Sequence, residues 1–504
     1  MMFERLLQLW PQSVVTQALV VGGVVGVIAH NLFKKRYNLP PGPKGWPLLG
    51  NILELQGGLL FRKFRDWSKT YGPVMKIMLG NRIAVVLSRI DVVTEALVTR
   101  QADFAGRTDI CFVNVITEGG KDIANASYGP TWKLHRKIAS KALRHYLSGD
   151  SLSRKVSQSL KTSTQLMRKE PGAFDPFPYL SLAISNVMTG MLFNKVSENT
   201  DSEIYKTYVV NLDNFMKESG DGFLEDVIPL LHLCPTPKFR RVVGMAGRIT
   251  EAVRIEVAAH RETFKKDEIR DFTDALILAQ KEAEEEDDPT LMSQITNTHM
   301  VQTINDLVVA GTDTTRNTLH WSLLTMALHP DIQKKVQAEV DSVIDPDLNV
   351  HVSDRDRLPY TEAVLHEIMR MRTVAPTGVP HSTLCDTTVG GYDVPKGTMV
   401  FINHDALHFD PDQWEDVNTF KPERFLDSEG KMGPKPESWL PFSAGRRVCL
   451  GETVAKPELH LFLAGILRAF TISLAPGTQH DFEPRSTGAL NTPGRYQIVA
   501  KSRI

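Results

Sequence analysis

The chain has 504 residues and a nearly balanced charge, with 58 basic and 59 acidic side chains and a formal net charge of −1. This balance argues against nucleic acid as the main partner. The four cysteines contain no CxxC pair and offer no zinc site or disulfide framework, as is typical of a reducing compartment: Cys111, Cys234, Cys385 and Cys449. Length alone favours about three domains. The only strong change in composition lies near the N-terminus, so the sequence predicts one large domain.

The N-terminal segment is almost continuously apolar from Val14 to Phe33. As a helix, about 20 residues span roughly 30 Å, which is the thickness of a bilayer core. The basic run Lys34-Lys35-Arg36 follows, so the positive-inside rule predicts that the rest of the chain faces the cytosol. A cleavable signal peptide is the competing interpretation, but it would carry its charge before the apolar run and a small-x-small site after it. We therefore expect residues 1–36 to be a retained single-pass membrane anchor.

A proline-rich run from Pro40 to Pro47 comes next. Such a run cannot continue a helix and is stiff in an extended conformation. It predicts that residues 37–50 form a short strut between the membrane helix and a main domain of residues 51–504.

The body of the chain, between residues 50 and 380, has mostly helical periodicity, with apolar residues three and four positions apart. Strand signals are few: Val74 to Leu79 and Ile83 to Leu87 flank the turn-forming pair Gly80-Asn81 and predict a hairpin. The last 130 or so residues contain more glycine and proline, which favours loops and small hairpins. The sequence therefore predicts a mainly α fold of the α+β class, with small β-sheets to one side.

Two segments of this body combine polar side chains with helical spacing. Trp132 and Arg136 belong to a basic amphipathic helix whose positive stripe is usually just a solvated face; its members are Lys133, Arg136, Lys137, Lys141 and Arg144. Further on, Glu367 and Arg370 lie three residues apart on one helix face. Alone, either pattern is weak.

Residues 310–315 read Ala-Gly-Thr-Asp-Thr-Thr inside a long apolar helix that runs from about Thr298 to the stop at His329-Pro330. Glycine and threonine are poor helix formers, and one use for them is a local opening of the helix over a ligand. Asp313 and Thr314 then offer a carboxylate and a hydroxyl for proton delivery. The alternative is a kinked core helix whose threonines bond back to the preceding turn.

The most informative segment is Phe442 to Gly451, in which a lone cysteine, Cys449, stands between two glycines and two residues after Arg447. Five positions are fixed in this pattern: Phe442, Gly445, Arg447, Cys449 and Gly451. At average amino-acid frequencies, the pattern is expected by chance on the order of 10⁻⁴ times in a chain of this length. A metal-ligating thiolate requires N–H groups around the sulfur and no bulky neighbour. The alternative is a structural cysteine in a turn.

This run resembles the haem-binding loop of the cytochrome P450 superfamily, and the other segments match its remaining landmarks. The resemblance implies a haem b cofactor with Cys449 as the thiolate ligand of the iron and with Phe442 and Ala310 next to the haem. It implies that Asp313 and Thr314 activate oxygen and that Glu367, Arg370 and Arg424 form a buried structural triad. It further implies propionate ligands, a substrate lining and partners. The propionate ligands are Arg107, Trp132, Arg136, His381 and Arg447; the lining is Ala310, Gly311, Ala375, Gly378 and Val379.

The implied partners are an NADPH-cytochrome P450 reductase, cytochrome b5, O₂, a lipophilic substrate and the endoplasmic reticulum membrane, with no nucleic acid. Within the superfamily, the chain resembles the animal steroid 17α-hydroxylases and the aryl-hydrocarbon-inducible xenobiotic oxidases. The stretch from Arg372 to His381 favours the steroid group, and a 17,20-lyase step stays open. The segment around Asn125 departs from the steroid enzymes, which have an aromatic residue there. A reductase-independent haem-thiolate isomerase and a haem-binding sensor are the remaining alternatives.

Overall fold

The computed structural model describes residues 37–56, 59–147, 150–220, 222–285, 293–478, 480, 482–487 and 490–504. The predicted anchor of residues 1–36 lies outside this part of the chain. Within the described ranges, no helix is both long enough and apolar enough to cross a bilayer. Backbone contacts divide the chain into two units, Met1–Leu39 and Pro40–Ile504, and everything below concerns the larger unit.

Helices make up most of this unit, as the periodicity predicts. In chain order they are α1 Ile52–Leu55, α2 Leu60–Tyr71, α3 Ile90–Thr94, α4 Cys111–Ile116, α5 Pro130–Leu147, α6 Ser151–Arg168, α7 Phe177–Phe193, α8 Glu203–Tyr205, α9 Asn211–Ser219, α10 Pro237–Thr263, α11 Phe272–Glu285, α12 Asn297–Leu328, α13 Pro330–Asp341, α14 Pro359–Met371, α15 His404–His408 and α16 Glu452–Ala469. Short π and 3₁₀ turns join several of them, including Pro422–Phe425 and Gly445–Arg447.

The strands are short and form small sheets. They are β1 Val74–Leu79, β2 Arg82–Leu87, β3 His381–Ser382, β4 Thr387–Val389, β5 Tyr392–Val394, β6 Met399–Ile402, β7 Phe470–Leu474, β8 Arg485–Thr487, β9 Leu490–Thr492 and β10 Ile498–Ser502. The largest sheet has the order β1-β2-β6-β3, and the pairs β7–β10, β4–β5 and β8–β9 stand alone. The predicted hairpin is confirmed: β1 and β2 pair antiparallel with Leu79 opposite Arg82, and Gly80 between them has a φ of 63°.

Helix α12 is the central helix of the fold. It begins after Thr296, whose hydroxyl accepts a hydrogen bond from the His299 amide at 3.4 Å, and it ends at His329, just before Pro330. Buried side chains occupy most of its length, so it packs against neighbours on nearly every side, including α7 and α16. The predicted long helix is therefore confirmed, and it carries the 310–315 segment through the middle of the domain.

The proline-rich segment differs from the strut that its sequence predicts. The Lys76 amide of β1 donates to the Pro41 carbonyl at 2.8 Å, and Gly50 forms a bridge with Leu79. A Cβ on Gly42 would lie 1.9 Å from the Lys76 carbonyl oxygen, so only glycine allows this close approach. The run therefore packs along the edge of the main sheet as part of the larger unit, because extended backbone next to an edge strand finds hydrogen-bond partners there.

Candidate active site

The cysteine loop ends at the N-terminus of α16, with Gly451 as the residue before the helix. The Cys449 amide donates to the Phe442 carbonyl at 2.9 Å, which closes the loop on itself. Gly445 has a φ of 71°, and a Cβ there would lie 1.9 Å from the Leu97 carbonyl oxygen. This glycine therefore fits the loop against the backbone of the helical turn Glu95–Thr99 that follows α3, a close approach that no other residue allows.

The Cys449 side chain is closely surrounded by protein yet keeps accessible surface. Burial raises the pKa of its thiol, whereas the backbone N–H groups of Gly451 and Glu452 and the charge of Arg136 favour the thiolate. These donors belong to the first turn of an 18-residue helix, whose positive dipole end also stabilises an anion. The site therefore suits Cys449 as a thiolate when a bound cation takes the place of the thiol proton.

Three arginines converge beside this loop, and none of them forms a salt bridge within the described part of the chain, although the charge of Asp122 acts on Arg107 and Arg447. Arg447 donates to the carbonyls of Ala105 and Ala126 at 2.9 and 2.7 Å, and Arg107 donates to Ala124 and Pro380 at 2.8 and 3.0 Å; Arg136 donates to Val448. Burial lowers the pKa of Arg107 to about 10 and that of Arg447 to about 9, and their mutual repulsion adds to the shift in Arg447.

Such a cluster is costly unless an anion compensates it. Two carboxylates of a haem would supply that compensation through charge-assisted hydrogen bonds. The residues present therefore fit the group that the sequence predicts, on the chemistry of the donor set alone.

Trp132 and His381 flank these cations. The Trp132 indole N–H donates to the Ile123 carbonyl at 2.9 Å, and the Arg447 guanidinium lies 4.2 Å from the centre of the indole ring. His381 bonds through Nδ1 to the Phe104 carbonyl at 2.9 Å. Burial, followed by the charge of Arg107, lowers the pKa of His381 well below its usual range. The imidazole is therefore neutral at physiological pH until an anion binds beside it.

The 310–315 segment is regular helix and does not have the local opening that its glycine and threonines suggest. The Thr314 hydroxyl donates to the Ala310 carbonyl at 2.6 Å, which is the back-bonded alternative. Ala310 itself is exposed although it lies in mid-helix, and Thr314 is half-buried. This face of α12 therefore borders accessible space inside the domain.

Asp313 is buried and already engaged. Its Oδ1 pairs with the Arg316 guanidinium and accepts a hydrogen bond from the Asn317 amide at 3.0 Å. Arg316 also pairs with Asp213 of α9 at 2.6 Å and lies over the Phe177 ring at 4.6 Å. The proposed acid thus belongs to a charged cluster that joins α9 to α12.

The predicted substrate lining is only partly brought together. A cavity of about 1320 Å³ is bounded by α2, α9, α12 and the 376–380 segment, and Asp313 and Gly378 contribute to it, whereas Ala310, Ala375, Val379 and Cys449 do not. At Gly311, a Cβ would lie 2.5 Å from the Met188 methyl carbon, so this glycine makes room for the α7 side chain, and its place in the substrate lining stays a prediction. The cavity meets α12 at Asp313, Arg316, Asn317 and His320.

The structure joins Glu367, Arg370 and Arg424. Arg370 donates to both Glu367 oxygens at 2.8 Å, and Arg424 donates to Oε1 at 3.1 Å. The Glu367 and Arg370 side chains are fully buried. This triad links α14 to the 422–425 turn.

The basic residues of α5 do not all lie on its exposed face. Lys133, Lys137, Lys141 and Arg144 are exposed along α5, whereas Arg136 turns inward to the carbonyl next to Cys449. The exposed members give the protein a positive surface close to the cysteine loop.

Sequence reasoning missed three charged residues of this region: Arg316, Asp122 and Asp306. Arg316 carried a signal, because an arginine three residues after Asp313 in an apolar helix predicts an ion pair. Asp122 and Asp306 gave no local signal, since they are 184 residues apart and meet only in the fold.

A cysteine at a helix N-terminus beside three arginines that form no salt bridge among the described residues fits a haem-thiolate protein. The chain belongs to the cytochrome P450 family, whose match covers residues 40–500. It is similar to cytochrome P450 1A5 of Gallus gallus, with 35% identity over 462 residues, 88% of this chain and 86% of the relative. It is 32% identical to the steroid 17-alpha-hydroxylase/17,20 lyase of Squalus acanthias over 497 residues, 97% and 96% of the two chains. Cytochrome P450 1A2 of Homo sapiens is 34% identical over 458 residues, 88% of each chain.

The family settles the general activity. The protein is a haem-thiolate monooxygenase, an oxidoreductase that uses O₂, an organic substrate and a reductase as electron donor. The two groups of relatives are similar to the chain at comparable identity, so the family leaves the substrate open.

Proposed function

We propose that the protein is an endoplasmic reticulum monooxygenase that hydroxylates a steroid-like lipophilic substrate with electrons from NADPH, delivered by a flavoprotein reductase. The main support for this active site is that Arg107, Arg136 and Arg447 converge beside Cys449. In this proposal the cofactor is haem b: the Cys449 thiolate would bind it, the three arginines, Trp132 and His381 would hold its carboxylates, and Phe442 and Ala310 would lie next to it. Bound haem supplies O₂ activation and oxygen transfer.

The chain's own residues move the proton. The Thr314 hydroxyl donates to Ala310, so its oxygen is free to accept a hydrogen bond from a water or ligand beside α12. Asp313 reaches the 1320 Å³ cavity and thus water, while Arg316 fixes its position. We assign Thr314 the terminal step of proton delivery and Asp313 the exchange of protons with water.

The substrate class rests on two supports. The cavity of about 1320 Å³ exceeds the roughly 300–1,000 Å³ of ordinary ligand pockets and accommodates a four-ring molecule. One relative that matches nearly the whole chain is named a steroid 17-alpha-hydroxylase/17,20 lyase. The cytochrome P450 1A relatives favour the second candidate, a hydroxylase of flat polycyclic xenobiotics.

The test is a spectral titration of the haem-loaded protein with progesterone, pregnenolone and α-naphthoflavone, followed by turnover with reductase and NADPH. We expect the steroids to convert the haem to high spin and to be hydroxylated. In Thr314→Ala, NADPH consumption should continue while product falls by about 10²-fold or more and peroxide rises. A response to naphthoflavone alone would move the protein to the xenobiotic group, and unchanged coupling in Thr314→Ala would remove Thr314 from proton delivery.

The partner surfaces follow from the same proposal. The exposed cations Lys133, Lys137, Lys141 and Arg144 suit an acidic reductase or cytochrome b5, because opposite charges steer association. Membrane association is supported by the apolar segment of residues 14–33 and by exposed apolar side chains on the larger unit.

A further inference from the structure

A second cavity, the arginine cavity, has a volume of about 150 Å³ and is bounded by α2, α15, the C-terminal end of α14 and the β8–β9 region. Its charged lining consists of three arginines and two carboxyl groups: Arg62, Arg65, Arg372, Asp405 and Glu483. Phe61 and Pro484 line both this cavity and the larger one, so the two share part of a wall. The volume is about ten times the roughly 10–15 Å³ that one water requires, so a small ion fits together with water.

The charges of this lining do not cancel. Arg65 pairs with Asp405 at 3.0 Å, and Arg62 pairs with Glu483. Arg372 forms no salt bridge within the described part of the chain. Burial, followed by the charge of Arg62, lowers the pKa of Arg372 to about 10, so its guanidinium is still charged at neutral pH. The lining therefore carries one positive charge in excess, which an anion would compensate.

Two buried polar atoms of the lining have no hydrogen-bond partner among the described residues: Arg372 Nε and Asn491 Oδ1. Arg372 is 9% exposed and Asn491 is 3% exposed. Their other polar atoms are engaged, because Arg372 donates to the Met371 and Phe482 carbonyls at 2.8 and 2.9 Å. The Asn491 side-chain amide donates to the Thr373 carbonyl at 3.2 Å. Since Nε can only donate and Oδ1 can only accept, a ligand that satisfies both carries an acceptor and a donor.

We propose that the arginine cavity binds a phosphate group that has one negative charge and one remaining O–H, either free dihydrogen phosphate or the head of a phosphate monoester. A phosphate oxygen accepts from Arg372 Nε, and the O–H donates to Asn491 Oδ1. Arginine suits this partner because its guanidinium is always charged and matches phosphate geometry. Sulfate and phosphate diesters lack the O–H and would leave Asn491 Oδ1 without a donor. This site is separate from the cysteine loop and does not depend on the proposed function.

The two ligating side chains are already held in place. The Arg372 guanidinium lies 4.0 Å from the centre of the Phe482 ring and 5.1 Å from that of Trp321. The Asn491 backbone amide donates to the Val374 carbonyl at 2.8 Å. Binding therefore orders few groups, which favours affinity. Because Arg372 follows α14 and Asn491 belongs to β9, a bound phosphate would also join these two elements and stabilise the folded protein.

The test is a calorimetric titration of the haem-loaded protein with methyl phosphate and dimethyl phosphate in slightly acidic, phosphate-free buffer. Both esters then carry one negative charge, but only methyl phosphate keeps an O–H. We expect methyl phosphate to bind at least about tenfold more tightly, because the diester leaves a buried acceptor unpaired. Methyl phosphate should also raise the midpoint of thermal unfolding, whereas dimethyl phosphate at the same concentration should not.

Two further titrations identify the source of the phosphate group. Inorganic phosphate should bind in either case. Short-chain phosphatidic acid, below its micelle concentration, should bind more tightly than inorganic phosphate if the natural ligand is a lipid head, and more weakly if it is the free ion. Both results support the site and differ only in the ligand that occupies it.

The variants include one that should gain affinity. Arg372→Gln should abolish binding of methyl phosphate. Asp405→Asn should strengthen it by about tenfold or more, because it removes a negative charge from the lining, and a gain cannot result from misfolding. Asp66→Asn is the matched control: it removes the same charge from an exposed position on α2 outside the cavity and should leave the affinity unchanged.

Three outcomes would overturn the phosphate site. They are equal or undetectable binding of the two esters to the native protein, native-like binding in Arg372→Gln, and no gain in Asp405→Asn relative to Asp66→Asn. The native titration and the Asp405→Asn variant decide the question even if Arg372→Gln does not fold. None of these measurements uses substrate turnover, so their failure would leave the proposed function intact.

Discussion

At the scale of single residues, the least expected feature is Arg316, a guanidinium that is 2% exposed in the central helix. It pairs with Asp313 on its own helix and with Asp213 on α9. A buried pair adds little net stability, but breaking it leaves charges without compensation. Arg316 therefore fixes the carboxylate next to Thr314 and ties α9, which borders the cavity, to the helix that carries the proposed chemistry.

Arg316→Met should lower the free energy of unfolding by about 3–5 kcal/mol, because it leaves Asp313 buried and unpaired. Asp213→Asn is the matched control: its side chain is 34% exposed, so solvent screens the loss, and we expect a cost of about 1 kcal/mol or less. Urea unfolding of the two variants in parallel measures both values. Equal effects would show that the contact with α9 matters as much as the one within α12.

Glu458 of α16 is 1% exposed, and its Oε1 has no partner among the described residues. Burial raises its pKa to about 8, from 4.5 in the unfolded chain. The folded state therefore binds more protons than the unfolded state between these values, so this carboxyl group lowers stability as pH rises through 4.5 and has its full effect above about 8.

Glu458→Gln should accordingly be more stable than the native protein at pH 8, by a few kcal/mol at about 1.4 kcal/mol per pKa unit. The difference should vanish near pH 4, where both states are protonated. Thermal unfolding across this pH range measures it. A constant difference would mean that folding does not change the pKa of Glu458.

At the scale of elements, Glu367 and Arg370 tie α14 to α15 and to the segment of residues 417–424. Arg370 donates to Glu367 and also to the His408 and Val417 carbonyls at 2.8 and 3.0 Å, so one guanidinium ties α14 to α15 and to the segment before the 422–425 turn. Glu367 in turn accepts from the Lys421 amide at 3.0 Å. The triad thus positions backbone and does not contact a substrate.

Glu367→Gln keeps the shape of the side chain but removes the charge that compensates two arginines. We expect it to lose about 3–5 kcal/mol of stability and most of its haem-loaded fraction, as measured by the absorbance of the reduced carbonyl complex near the position typical of thiolate ligation. Glu423→Gln on the neighbouring turn, whose partner Lys335 is exposed, should behave like the native protein. A stable, fully loaded Glu367→Gln protein would contradict the structural role.

The same elements show what the sequence can predict. The limits of α12 and the β1–β2 hairpin follow from local signals, namely Thr296, Pro330 and Gly80. The packing of the proline-rich run on β1 and the meeting of Asp122 with Asp306 do not, because both depend on contacts between distant segments. The sequence also identifies the motif glycines, but it does not show why glycine is needed there. Gly311 makes room for the Met188 side chain, and Gly445 lies against the Leu97 backbone.

At the scale of the whole larger unit, exposed apolar side chains gather in two segments that share one contact. Trp46, Leu48 and Leu53 are 60%, 90% and 50% exposed, and Leu230 and Leu233 are 73% and 85% exposed. Gly80 connects the two segments: its amide donates to the Leu49 carbonyl at 3.1 Å, and a Cβ there would lie 2.7 Å from Val227. Together they form an apolar patch of the kind that marks a membrane or protein contact.

If this patch lies on a membrane, a chain that begins near Lys35 should still bind phospholipid vesicles, because burying each large side chain contributes about 1.5–3 kcal/mol. Leu230→Ser with Leu233→Ser should then reduce vesicle binding by at least about tenfold while spectral titration and haem loading stay unchanged. The exposed pair Val98 and Val196 offers a matched control, since serine there removes apolar surface elsewhere. Sedimentation with vesicles measures the bound fraction. An equal loss in both double variants would show that general apolar exposure, not this patch, drives the association.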